Sequence, residues 1–490
     1  MRLSTVLSLL GFAASPLLAS ADPVADYFSK LAPISRSVLL HNVTGPGAGA
    51  DPGVVAAIIP DPSIPEFNVY WVRDACLVYN VWLNELIALG DKSLRPLMDD
   101  VTLALVRSQH VDSISGNIYN GGLEEPVFHL DLSFIRNASY RPDGPPFRAA
   151  MLIKYADWLL EPAQKNGTWV ADNLWPAINL DLQWISRTWN QSSYDLWWPP
   201  VWGGSYWTAA LQYRALIAGA RLGHKIGRDV VDYPKKAALV LDYMQSFWNP
   251  VEGFMTETTI TDVALGRSGF GSAALTVSVY NYDQNLGCDP LTFQPCSDRA
   301  LSALKVVGDK FKAMFPLTDN TPADKPGWFG FFTEDEFIGG QPQFFSTFNA
   351  AEQLYAALNT WDKIGSLTIT PVSLKFFVQF DKNVEVGTYA KNSKTYSQLT
   401  VAIRSYADEI IVITAKGTPA DFVLPMSVHK VTGKPCGPRG MIRSLAAALG
   451  AVDTYMGMPP PSWSFPKRRL AGSDGLQDVD SQKVYFDSYA

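Results

Sequence analysis

The feature that most constrains this chain is the spacing of its large apolar residues. Phe348, Ala351, Tyr355, Leu358 and Trp361 recur at three- and four-residue intervals, and so do Trp207, Leu211, Ala215, Ala218 and Leu222. That period lines one face of a helix of 3.6 residues per turn, so the spacing predicts long amphipathic helices. Between such segments lie connections rich in Gly, Pro, Asn and Asp, including Asn117 to Pro126, Arg141 to Pro146 and Thr318 to Gly330. They read as long loops, and long loops on a rigid scaffold are where binding residues collect. Alternating strand pattern is scarce, with Leu275 to Tyr280 the best candidate. No Ser/Thr-rich linker or break in composition divides the chain, which predicts one all-α domain over 22–459 and a C-terminal tail or strap over 460–490.

The 490 residues, 47% of them apolar, supply ample material for a large core. Arg2, an apolar stretch from Val6 to Leu18 and the small residues Ala19, Ser20 and Ala21 read as a secretory signal over 1–21, cleaved before Asp22. No later apolar run reaches the ~18 residues a membrane span requires, so an exported, monomeric protein is expected. Sequons at Asn42, Asn137, Asn166 and Asn190 fit that route as glycosylation candidates. A net charge of −7 argues against nucleic acid, whose phosphates need clustered Lys and Arg. Five scattered histidines and four cysteines offer neither C-x-x-C nor H-x-x-x-H spacing, so neither a metal nor another cofactor is expected. Cys288 and Cys296 are close enough in sequence to predict a local disulfide in an oxidising compartment, while pairing of Cys76 with Cys436 depends on the fold.

Six blocks carry a family resemblance. They are YWVRD at Tyr70 to Asp74, GGLEEPVF at Gly121 to Phe128, RPDGPPFRA at Arg141 to Ala149, WNQSSYDLW at Trp189 to Trp197, TFQPCSDRAL at Thr292 to Leu301 and AAEQLYAALNTWDKIGSL at Ala350 to Leu367. In this order they resemble the fungal glucoamylases of glycoside hydrolase family 15. The resemblance implies an (α/α)6 barrel, or six-hairpin toroid, with a sugar pocket built by loops at one end. It also implies exo-acting release of glucose from α-1,4-glucans with inversion. Family members often carry a starch-binding module, and none is expected in this sequence.

Inverting hydrolysis needs one carboxylic acid to protonate the leaving oxygen and one carboxylate to activate water, ~6.5–9.5 Å apart. In the family the acid follows a D-L-W motif, as D-L-W-E-E. Here Asp195, Leu196 and Trp197 are followed by Trp198 and Pro199, and no acid occurs from Leu196 to Arg228. The family base stands in a pattern close to M-S-E-Q, which falls on Val428, and no acid occurs from Phe422 to Val452. Other family positions of the pocket change too, two of them to phenylalanine with loss of polarity. An arginine becomes Phe331, a tyrosine becomes Phe67, and two tryptophans fall on Gln343 and Ser139, while Glu334 and Asp335 remain.

Arg73 and Asp74 are kept, and the resemblance makes them grips for sugar hydroxyls; a buried ion pair holding the barrel together explains them equally. Trp71 and Trp197 either stack on a ligand or fill the core. Asp195 and His429 are the remaining proton-transfer candidates, and a structural Asp and an ordinary loop His are the plainer alternatives. General acid–base help is worth ~10²- to 10⁴-fold per group. The sequence therefore predicts lost hydrolysis and a pocket lined by Trp198, Pro199, Phe331 and Val428 that binds or shapes an apolar small molecule, as a cyclase does. Two alternatives stand beside it: an α-glucan binder using Trp71, Arg73, Asp74 and Trp197, and a weakened glucosidase with carboxylates displaced to Glu124, Glu125, Glu334 or Asp335.

Overall fold

The structure is a computed structural model that describes residues 22–44, 50–113, 116–119, 122–124, 126–135, 143–162, 164, 166–192, 196, 203–259 and 268–464. The signal candidate, Asn137, Ser139, Glu125, Asp195, Trp197, Trp198 and Pro199 lie outside the described residues.

In chain order the helices are α1 (Pro23–Thr44), α2 (Val72–Asn84), α3 (Arg95–Gln109), α4 (Gly144–Leu159), α5 (Gly167–Trp169), α6 (Trp175–Thr188) and α7 (Tyr206–Lys225). They continue with α8 (Asp232–Gln245), α9 (Ala273–Tyr280), α10 (Asp298–Met314), α11 (Phe344–Ile364), α12 (Leu374–Val378), α13 (Lys394–Gly417) and α14 (Ile442–Tyr455). Six of them close a ring in the order α2, α4, α7, α9, α11, α14, each packed on the next and α14 packed on α2. Six more form an outer layer: α3 lies on α2, α6 on α4 and α7, α8 on α7, α10 on α9, α13 on α11, and α1 on α14. The protein is thus an all-α (α/α)6 barrel.

Burial explains the two layers. Every residue of α2, α4 and α9 is buried, as an inner helix packed on all sides requires. Outer helices such as α8 and α10 bury one stripe only. The predicted periodic segments form α11 and α7. Leu275 to Tyr280, expected as a strand, is instead the body of α9; a short apolar run buried all round has no polar face to reveal its period. Part of the loop expected from Arg141 to Pro146 is likewise the first turn of α4, where Pro145 and Pro146 lose no hydrogen bond.

Among the described residues the strands form four antiparallel pairs: β1 (Tyr70–Trp71) with β2 (Val127–Phe128), β3 (Trp248–Asn249) with β4 (Phe254–Met255), β5 (Ser366–Ile369) with β6 (Gly387–Ala390), and β7 (Pro425–Val428) with β8 (Pro435–Arg439). Cys288 and Cys296 form the predicted disulfide, with Cα atoms 4.9 Å apart. Cys76 on α2 and Cys436 on β8 are both free thiols. Of the sequons, Asn42 is fully buried and its amide nitrogen donates to the Ala56 carbonyl at 3.1 Å, which rules out a glycan there. Asn190 is exposed. No helix among the described residues is long and apolar enough to cross a membrane.

The barrel body runs past Pro459. Pro460, Pro461, Ser462 and Trp463 are buried, and the Trp463 ring sits between Phe147, Trp207 and Tyr280 at centroid distances of 5.9, 5.3 and 6.0 Å. The strap is pinned by polar groups within the ring. Asn80 donates to the Pro461 carbonyl at 2.7 Å, and Lys154 Nζ donates to Asn80 Oδ1 at 2.7 Å and to the Ser462 carbonyl at 2.9 Å. Burial pushes the Lys154 ammonium down to about 7. Beside the strap, burial pushes Asp453 up to about 7 and Glu85 up to about 8, the latter despite Arg36 at 2.7 Å. Burial, and then the neighbouring Asp453, also raises Glu352 well above the usual carboxylate range.

Candidate functional site

The N-terminal ends of the inner helices converge at one mouth of the barrel. Arg73 and Asp74 lie in the first turn of α2, directly after Trp71, which is still extended as the last residue of β1 and the N-cap of the helix. Asp143 immediately precedes α4, and Arg73 joins the two helices: Nε donates to Asp74 Oδ1 at 3.3 Å and Nη1 to Asp143 Oδ2 at 3.0 Å. All three residues are buried. Burial opposes the guanidinium charge, but the carboxylates of Asp143 and Asp74 outweigh it and hold the Arg73 pKa above its usual range. The Arg73 guanidinium carbon lies 4.9 Å from the Trp71 ring centre, a cation–π distance. Asp143 Oδ1 is buried and has no hydrogen-bond partner among the described residues.

Across the mouth, the loop before α11 is tied to α9. Ser272 N donates to the Phe331 carbonyl at 2.8 Å, and the Ser272 and Ser346 hydroxyls meet at 2.8 Å. Phe331 is buried, and the Arg443 guanidinium carbon stands 5.1 Å from its ring centre. Arg443 is the second residue of α14, and its Nη2 donates to Met426 Sδ on β7 at 3.1 Å. Burial lowers its pKa, with Asp74 and Asp335 pulling the other way and Arg73 adding to the decrease. The mouth therefore holds two buried guanidinium groups facing Asp74 and Asp335.

Asp335 is placed by a tight turn. Its Oδ1 accepts from Phe337 N at 2.8 Å, and Gly340, at φ +61°, allows an approach in which a Cβ would lie 2.1 Å from the Asp335 carbonyl oxygen. Glu334 is tethered through Oε1 to Ser268 N at 3.3 Å. Glu257, absent from the sequence-level candidates, accepts from Ala273 N at 2.7 Å and caps α9; its carboxylate fills the space left by the missing side chain of Gly271.

Two expected site residues sit elsewhere. Val428 is fully buried, but its Cγ1 occupies space beside Gly417 and Trp328, and Met426 is the β7 side chain that reaches Arg443. A register shift between Pro425 and Ser427 accompanies this departure from simple alternation. His429 is exposed on the β7–β8 turn, where its Nδ1 accepts from Val431 N at 3.3 Å, outside the Arg73–Arg443 group. Glu124 accepts from Trp184 Nε1 at 2.8 Å as a structural anchor. Glu85, a carboxyl poised near neutrality, lies twelve residues along α2 from Arg73, about 18 Å away at ~1.5 Å per residue. Asp143, Arg443 and Met426 were missed as site residues; only Asp143 had a signal, being part of the RPDGPPFRA block.

A ring of six inner and six outer helices with a buried polar mouth at one end defines a six-hairpin glycosidase-type barrel. The family model "Glycosyl hydrolases family 15" matches residues 33–451, and the chain belongs to that family. It is 38% identical over 469 residues to Glucoamylase-1 of Schizophyllum commune, covering 94% of this chain and 80% of that protein. It is 35% identical over 513 residues to the glucoamylase of Neurospora crassa, covering 100% of this chain and 79% of that one. The solved family 15 glucoamylase from Hypocrea jecorina superposes with a TM-score of 0.86 at 35% identity, over 90% of this chain and 74% of its own.

Proposed function

We propose that this protein holds the end of an α-glucan in the glucoamylase manner without carrying out acid–base hydrolysis. The observation that supports sugar over an apolar ligand is the buried Arg73–Asp74–Asp143 group at the mouth, with an acceptor at Asp143 Oδ1 left unpaired. A ligand without hydroxyls would bury Asp143 Oδ1 unsatisfied, at a cost of ~1–3 kcal/mol. The support for lost hydrolysis is the acid-free sequence from Leu196 to Arg228 and from Phe422 to Val452. Of the described acids at the mouth, Asp74 and Asp143 each pair with Arg73 through one oxygen, and Asp335 and Glu334 each accept from a backbone amide through one oxygen.

Arg73 orients the hydroxyls, Asp143 accepts from them, and Arg443 sets the polarity of the wall beside Phe331. The relatives named glucoamylase suggest an α-glucan as the sugar. On this reading the protein is exported, as its N-terminal residues suggest. The apolar-ligand reading draws its support from Phe331 and Met426, which clothe Arg443 on that wall. Calorimetric titration with maltooligosaccharides, run beside a glucose-release assay, separates the readings. Binding without release is expected. Release at an enzyme's rate, abolished by neutralising one carboxyl, would refute the loss of hydrolysis, and saturable binding of lipophilic compounds alone would refute the sugar.

A further inference from the structure

Outside the barrel, a groove of about 700 Å³ runs between α6 and α8. That volume falls within the ~300–1,000 Å³ usual for small-molecule sites. Its walls have a composition unlike a lipid or anion site. Asn179, Gln183 and Asn190 supply amides, Trp189 and Tyr233 supply rings, and Arg187 and Lys236 are balanced by Asp229 and Asp232. With two cations and two anions the groove is neutral, which gives no purchase to a polyanion. None of these four charges makes an ion pair with the described residues, so their polar atoms are not committed to one another.

The floor shows how the groove is kept in shape. Tyr233 donates to Asn179 Oδ1 at 2.5 Å, orienting that amide so that its nitrogen is the remaining donor. Trp189 is braced edge-on by Tyr243 at 5.9 Å and 67°, yet stays half-buried. The Ser186 hydroxyl, also in the lining, is buried and lacks a hydrogen-bond partner among the described residues. An indole, amides and a hydroxyl around neutral space match a pyranose, which has one apolar face and a rim of hydroxyls.

We propose that this groove is a second carbohydrate site, separate from the barrel mouth, that takes a neutral oligosaccharide. The sugar has two sources: a free glucan, or a glycan carried by the protein on Asn190, which lines the groove and is exposed. The proposal does not depend on what the mouth binds.

The test uses the full chain made in a glycosylating host, with Ser192→Ala to remove the Asn190 sequon and Gln183→Ala/Arg187→Ala to strip exposed polar groups from the groove without touching the core. Binding of maltoheptaose is followed by tryptophan fluorescence and by affinity electrophoresis in soluble glucan. If the source is free glucan, Ser192→Ala protein binds, and the double variant weakens its affinity at least fivefold. If the source is the attached glycan, wild-type protein carries a sugar at Asn190 whose release by an endoglycosidase quickens at least fivefold in the double variant. Maltoheptaose binding that the groove variants leave unchanged, with no protected glycan, overturns the proposal, as does absence of both signals. Trp189→Ala, checked for folding by circular dichroism, repeats the comparison at the aromatic face.

Discussion

Replacing Asp453 by Asn should make the protein more stable at pH 8 and leave it unchanged near pH 4. Asp453 lies in the last turn of α14 beside Asn84, whose amide nitrogen lies 3.4 Å from Asp453 Oδ2, and burial carries its pKa from 3.8 to about 7. A carboxyl raised in the folded state binds its proton more tightly there than in the unfolded chain. Its contribution is complete below the unfolded pKa and is lost as pH rises through the folded one, here between about pH 4 and 7. At ~1.4 kcal/mol per pH unit the full difference is about 4 kcal/mol, and water entry reduces it to about 2–4. The Asn variant has no proton to lose and keeps an oxygen for Asn84. Its neutral amide also removes a charge that raises both Glu85 and Glu352. Unfolding entropy of ~2.1 cal/mol/K per residue over about 440 residues makes ~0.9 kcal/mol per degree, so the variant's Tm should exceed wild type by about 2–4 °C at pH 8. Differential scanning fluorimetry at pH 4 and pH 8 measures it. A variant less stable at pH 8, or an offset equal at both pH values, would refute the reasoning.

Lys154→Met tests the opposite sign. The Lys154 pKa is depressed from 10.5 to about 7, so wild type gains stability as pH rises through that window, and chemical denaturation should show the gap to the Met variant widening in its favour from pH 7 to 10. Asp143→Ala leaves the Arg73 charge short of a partner in a buried site and should cost ~3–5 kcal/mol in urea unfolding; a loss under 1 kcal/mol would show that Asp74 alone suffices. Trp463→Ala should cost ~3–5 kcal/mol by opening a cavity between Phe147, Trp207 and Tyr280, and a change below 1 kcal/mol in the same assay would mean the strap is not part of the core.

The inner helices differ in how plainly the sequence announces them. Amphipathic α11 and α7 could be read from their spacing, whereas α9 was misread because every side chain along it is apolar or small and all are buried. Arg73 and Asp74 were legible because they close a recognisable block, and Asp143 stood in another without its pairing being visible. Arg443 could not have been found, since its place at the mouth depends on α14 returning beside α2 more than 350 residues later. Val428 shows a subtler limit. Its position in the chain matched a family pattern, but a register shift in a short hairpin decides which side chain faces inward, and no local residue pattern encodes it.

The strap that carries Trp463 also bears on how the molecule is made. Because α14 seals against α2 and residues 460–463 after it fill the middle of the ring, a growing polypeptide cannot complete its interior until those residues have left the ribosome. The apolar flank of α2 meanwhile waits uncovered, an opening for chaperones and for aggregation alike. A tag joined just before Pro460 would hold the nascent barrel in that vulnerable condition.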